Sequence, residues 1–135
     1  MSKIVIYTDG GARNNPGPAG AGFQILEGRK LLYEGKQFLG SQTNNWAEYE
    51  AVALALAHAK KLGLAGRELE VRMDSKLCVE QISGNWKIKE PTLKPQVAKV
   101  RALLADFPDN KFVYVPREEN AEADRLVNEA IDERL

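Results

Sequence analysis

Four acidic residues stand where a short chain could bring their carboxyl groups together: Asp9, Glu48, Asp74 and Asp124. Asp9 follows the apolar run Ile4 to Tyr7 and opens onto the tract GGARNNPGPAG. Asp74 closes a stretch in which Leu69, Val71 and Met73 alternate with Glu70 and Arg72. Glu48 has Ala51, Val52 and Ala55 at i+3, i+4 and i+7, so it projects from an apolar helix face. Asp124 borders the stripe Ala123, Leu126, Val127, Ala130 and Ile131. Carboxylates gathered near a core repel one another unless they are protonated or bridged by cations. Asp and Glu oxygens with few His or Cys nearby suit Mg²⁺ or Mn²⁺. Two such ions about 4 Å apart are an arrangement for in-line phosphoryl displacement.

Each acid also has an ordinary reading. Asp9 fits turn chemistry, and Asp74 ahead of Ser75-Lys76-Leu77 fits a helix N-cap. Glu48 suits the positive end of a helix, and Asp124 could pair with Arg125 or a neighbouring Lys. At this level both sets of readings stay open.

The elements that must position these groups follow from the pattern. KIVIYTD is a nearly all-apolar strand, expected at the centre of a sheet and ending on Asp9. AGAGFQILEG and KLLYEGKQFLG read as a hairpin turning at Glu27-Gly28-Arg29. Ala47 to Leu62 reads as a buried helix closed at Gly63. Leu69 to Met73 is a fourth strand, Ser75 to Ile82 a short helix ended by Gly84, and Pro95 to Leu104 a further helix. Lys111 to Val115 is a fifth strand, and Ala121 to Leu135 a last helix with Asn120 as its N-cap. The order βββαβααβα predicts an α/β fold, a mixed five-stranded sheet flanked by helices. If the first and fourth strands are parallel neighbours, Asp9 and Asp74 emerge at one edge, where ligands bind in open sheets.

With 135 residues, 44% hydrophobic and 28% charged, the chain fits one globular domain, residues 1–135. No apolar run reaches membrane-spanning length and no signal peptide is visible, so a cytoplasmic protein with no membrane partner is expected. The lone Cys78 and lone His58 speak against a disulfide and a structural zinc site. Nineteen basic residues balance nineteen acidic ones, but Lys87, Lys89, Lys94, Lys99 and Arg101 cluster against Glu90 alone. That cluster reads equally well as a solvated helix face or a phosphate track. A small-molecule phosphatase or nucleotide-binding enzyme is disfavoured, because the chain lacks a paired-Asp motif and a phosphate-binding loop.

TDGGARNNPGPAG, TNNWAE, VRMDSKLCVEQISG and VPREENAEADRLVNEA, in this order and spacing, resemble the type 1 ribonucleases H over essentially the whole chain. The resemblance implies the ribonuclease H-like fold and cleavage of the RNA strand of RNA/DNA hybrids. It further implies two Mg²⁺ ions, with Mn²⁺ as a substitute, on Asp9, Glu48, Asp74 and Asp124. By the same resemblance Asn15, Asn44 and Asn45 contact sugars near the cut, and Thr43 a phosphate of the DNA strand. Trp86, Lys87 and Lys89 retain an aromatic among basic residues, where some relatives carry a longer basic protrusion. Many relatives place a His in the loop before the last helix; here Arg117 stands near that position. The reading expects a monomer with no obligate protein partner. Its alternative is a module that binds hybrid or structured RNA with little cleavage.

Overall fold

The computed structural model describes residues 2–135. In chain order the strands are β1 (Ile4–Ala12), β2 (Gly17–Glu27), β3 (Lys30–Gln42), β4 (Leu69–Met73) and β5 (Asn110–Tyr114). The helices are α1 (Asn44–Lys61), α2 (Lys76–Ile82), α3 (Lys94–Leu104) and α4 (Ala121–Asp132), with 3-10 turns at Pro91–Leu93 and Arg117–Asn120. One sheet holds all five strands in the order β3-β2-β1-β4-β5. β1 pairs antiparallel with β2 and parallel with β4, and β4 pairs parallel with β5. The mixed sheet and the element order are those expected from the sequence.

Two close approaches show how helices reach the sheet from opposite sides. A Cβ on Gly10 would lie 2.2 Å from the Ala47 carbonyl oxygen of α1, and one on Gly22 would lie 2.6 Å from the Ala123 oxygen of α4. Gly10 pairs with Ala21 and Asp9 with Gly22. Directly paired residues share a face and successive residues alternate, so α1 and α4 cover opposite faces. Against α1 and α3 the sheet buries Ile4, Ile6, Phe23, Ile25, Val71 and Met73 with Val52, Leu56, Val97 and Val100. On the other face α4 buries Ala123, Leu126, Val127, Ala130 and Ile131, the stripe read from its spacing.

Local differences from the sequence reading have physical causes. β1 does not end at Asp9: pairing with β4 stops at Thr8–Met73, while pairing with β2 continues to Ala12–Ala19. Asp74 does not cap α2; the Ser75 hydroxyl does, accepting from the Cys78 N–H at 3.3 Å. Asn120 occupies the N-cap position of α4, but its side chain makes no capping bond. Its amide instead donates to the Thr8 carbonyl of β1 at 2.9 Å, both residues being buried. Glu70, on the polar side of the β4 alternation, is nevertheless 5% exposed and held by Lys3, Arg72 and Lys111. α4 ends at Asp132, short of Leu135.

Candidate active site

Parallel pairing of β1 with β4 sets Asp9 and Asp74 one residue beyond the last pair, Thr8 and Met73, at the same sheet edge. Glu48 comes from the first turns of α1, whose start Thr43 fixes by accepting the Trp46 N–H at 3.2 Å. Asp124 comes from the first turn of α4, which the Asn120 to Thr8 bond pins to β1. One carboxylate oxygen from each of Asp9, Glu48 and Asp74 lies within 4.8 Å of the other two. All four acids line one cleft of about 490 Å³.

The electrostatics follow from crowding acids in a half-buried cleft. Burial first, and then the facing carboxylates of Asp74, Glu48 and Asp124, push the Asp9 carboxyl up to about 9. Burial pushes Glu48 up to about 7, with Asp74 adding to it and the Ser75 hydroxyl and Cys78 thiol opposing. Asp74 is raised by burial too, while the Asn120 amide and the Arg117 cation hold it back. One Glu48 oxygen, Oε2, is buried without a hydrogen-bond partner. Half-buried carboxylates crowded together with Arg117 as the one nearby cation, and with an unsatisfied oxygen, suit a hard divalent cation, which satisfies oxygen ligands and lowers their proton affinity together.

The alternatives raised for single acids fare differently. Arg125 pairs with Glu122, Glu129 and Glu34, not with Asp124. Asp124 is left facing Asp9, with its backbone oxygen accepting from the Asn128 amide at 3.0 Å.

The other candidates divide between this cleft and its surroundings. Asn44, Asn45 and Arg117 line the cleft with the acids. Trp86, Lys87 and Lys89 line an adjoining hollow of about 570 Å³, which shares Asn45 with it. Asn15 and Thr43 line neither; the Asn15 oxygen accepts from the Asn44 N–H at 2.9 Å, tying the β1–β2 turn to α1. The Asn44 side chain in turn accepts from the Ala12 N–H at 2.7 Å. His58 does not line the cleft; it is stacked on Tyr33 at 4.6 Å. Sequence reasoning passed over Arg13, Tyr114 and Asn128, which also line the cleft. Asn128, four residues after Asp124 on the same helix, was recoverable from spacing; Arg13 and Tyr114 carried no such signal.

Over residues 7–130 the chain matches the family described as reverse transcriptase-like. It is 51% identical to LC11-RNase H1, isolated from compost and solved in complex with an RNA/DNA hybrid, at a TM-score of 0.94. That likeness covers 98% of this chain and 99% of the other. The chain belongs to the type 1 ribonuclease H family. Within the family it is 47% identical to the N-terminal RNase H domain of Rv2228c from Mycobacterium tuberculosis, at a TM-score of 0.91 over 96% of this chain and 99% of that one. It is 39% identical to ribonuclease HI of Halobacterium salinarum, covering 97% of this chain and 65% of that protein. It spans 36% of the length of the whole bifunctional protein Rv2228c, to which it is 46% identical over 96% of this chain. No helix among the described residues is long and apolar enough to cross a membrane.

Proposed function

We propose that the chain is a divalent-metal-dependent endoribonuclease that hydrolyses the RNA strand of RNA/DNA hybrids, leaving 5′-phosphate and 3′-hydroxyl ends. The observation that carries this reading is the convergence of Asp9, Glu48 and Asp74 oxygens within 4.8 Å, in a cleft that Asp124 also lines. Asp9, Glu48, Asp74 and Asp124 would hold two Mg²⁺ ions, or Mn²⁺ in their place, and such ions would supply water activation and neutralisation of the charge that develops on the leaving oxygen. The remaining work falls to the chain itself. Asp9, on a central strand anchored on both sides, gives the site a fixed origin. Arg117, the cation beside Asp74, draws the phosphate backbone towards the acids and steadies the ionised form of Asp74. Asn44 and Asn45 offer small polar groups in the cleft of the kind that distinguishes a 2′-hydroxyl. Asn15 and Thr43 brace that surface while remaining exposed to a strand lying on it. Trp86, Lys87 and Lys89 supply stacking and charge beside it.

We read residues 1–135 as one ribonuclease H domain, acting as a cytoplasmic monomer. A module that only binds hybrid has no use for four acids crowded at a cost to one another, which favours cleavage over the binding-only alternative. The test is a panel of end-labelled RNA/DNA hybrid, duplex DNA, duplex RNA and single-stranded RNA, each with Mg²⁺, Mn²⁺ or EDTA. Metal-dependent cuts confined to the RNA of the hybrid are expected. A folded protein that binds hybrid but cuts with neither metal would overturn the reading in favour of the binding module.

A further inference from the structure

The cleft presents four carboxylates to a polyanion, and Arg13 and Arg117 are the only cations among its described lining residues. Arg117 is already placed beside Asp74. Arg13 sits in the turn between β1 and β2, its N–H donating to the Pro18 carbonyl at 2.9 Å. Its guanidinium reaches across to the last turns of α4. There Nη1 meets Asp132 Oδ1 at 2.6 Å, and Nη2 donates to Asn128 Oδ1 at 3.1 Å. The side chain of Arg13 is 39% exposed and that of Asp132 is 63% exposed.

Such a pair contributes little to stability, because water screens it. The geometry is nevertheless a bidentate fork held ready at the cleft wall, with three of about five N–H donors still free. A phosphate offers more charge and better-matched acceptors than an exposed carboxylate sharing the fork with an amide. We propose that Arg13 is a substrate-phosphate ligand of this cleft, held in a receptive pose by Asp132 and Asn128 and released to the nucleic acid when the substrate binds. This rests on the hybrid-cleavage reading above.

Position along α4 says which phosphate. Asp132 lies eight residues beyond Asp124, about 12 Å along the axis at about 1.5 Å per residue. Arg13 therefore serves a phosphate flanking the reacting one, and its effect falls on binding more than on the chemical step.

The experiment compares wild type, Arg13→Ala, Asp132→Asn and the double variant in steady-state hybrid cleavage, with anisotropy of labelled hybrid in EDTA alongside. Arg13→Ala is expected to raise KM and the hybrid Kd about tenfold and to leave kcat unchanged. It should also flatten the dependence of log Kd on log salt by about one contact. Asp132→Asn removes the competing charge from the fork, with Asn128 still in place, and is expected to lower Kd about threefold, as the loss of a weak competitor requires. That gain must vanish in the Arg13→Ala background, since the two residues act through each other. An equal gain in both backgrounds would show plain charge removal and overturn the proposal. So would an unchanged Kd for Arg13→Ala. If wild type binds hybrid without cutting it, the ribonuclease reading fails, and the anisotropy series still decides the role of Arg13.

Discussion

Asp9 holds its proton to about 9 against an ordinary 3.8, because burial and three neighbouring acids oppose its ionisation. The consequence for stability has a definite sign. A carboxyl whose folded value is raised binds more protons folded than unfolded, so metal-free stability falls as pH rises from about 4 to about 9. In EDTA the Tm of wild type should therefore drop across that range, and Asp9→Asn should flatten the drop. At pH 8 in EDTA the variant should melt roughly 5 °C above wild type, and Mg²⁺ should raise wild type alone. Scanning calorimetry with and without metal measures both. Glu70 shows the opposite sign. Its burial alone would raise it, but Lys3, Arg72 and Lys111 outweigh that and hold it near 2. Its contribution is present above the ordinary 4.5 and is lost as pH falls towards 2. Glu70→Gln leaves three cations around a neutral group and should cost about 2 kcal/mol in urea denaturation at pH 7, with hybrid cleavage retained.

At the scale of elements, the site depends on how closely α1 and α4 approach the sheet. Gly10 lies under the Ala47–Glu48 peptide, where an added Cβ would sit 2.2 Å from one carbonyl oxygen and 2.6 Å from the Glu48 nitrogen. Gly10→Ala should cost about 3 kcal/mol by overpacking and lower kcat as Glu48 shifts, measured by denaturation and single-turnover cleavage. Asn120 ties the start of α4 to Thr8. Asn120→Ala leaves a buried carbonyl unpaired, which should cost about 2 kcal/mol and loosen Asp124, seen as a larger Mg²⁺ requirement. The strands and helices themselves were legible, because apolar alternation and the α4 stripe are local patterns. The end of β1 was not: Gly10 and Gly11 read as turn, yet pairing with Gly20 and Ala21 of β2 carries the strand through them. Which side chains make the capping bonds was not legible for a similar reason. Asp74 and Asn120 are both good capping types, but Ser75 was one residue better placed and Thr8 offered Asn120 a buried partner. Partners across the chain carry no local signature.

For the molecule as a whole, the order β3-β2-β1-β4-β5 does what spacing alone could only condition on. It makes β1 and β4 parallel neighbours, so acids 65 residues apart by number emerge side by side. Glu48 and Asp124 then arrive from helices on opposite faces of the sheet. The four acids were legible because each stood in a motif; Arg13 was hidden because its partners lie on the final helix. The cationic stretch from Lys87 to Arg101 is divided by the fold. Lys99 is paired with Glu50, whereas Lys87 and Lys89 line the hollow beside the cleft. A net charge of zero thus conceals a local surface suited to a polyanion. The measurement that tests the central claim most directly is a Mg²⁺ titration of RNA cleavage in an end-labelled hybrid, run on wild type and Asp9→Asn from matched preparations. The account predicts metal-dependent cutting by wild type, none in EDTA, and a loss of at least about a thousandfold in the variant, which removes the acid on which the proposed metal site centres. Cutting by Asp9→Asn at the wild-type rate would contradict it.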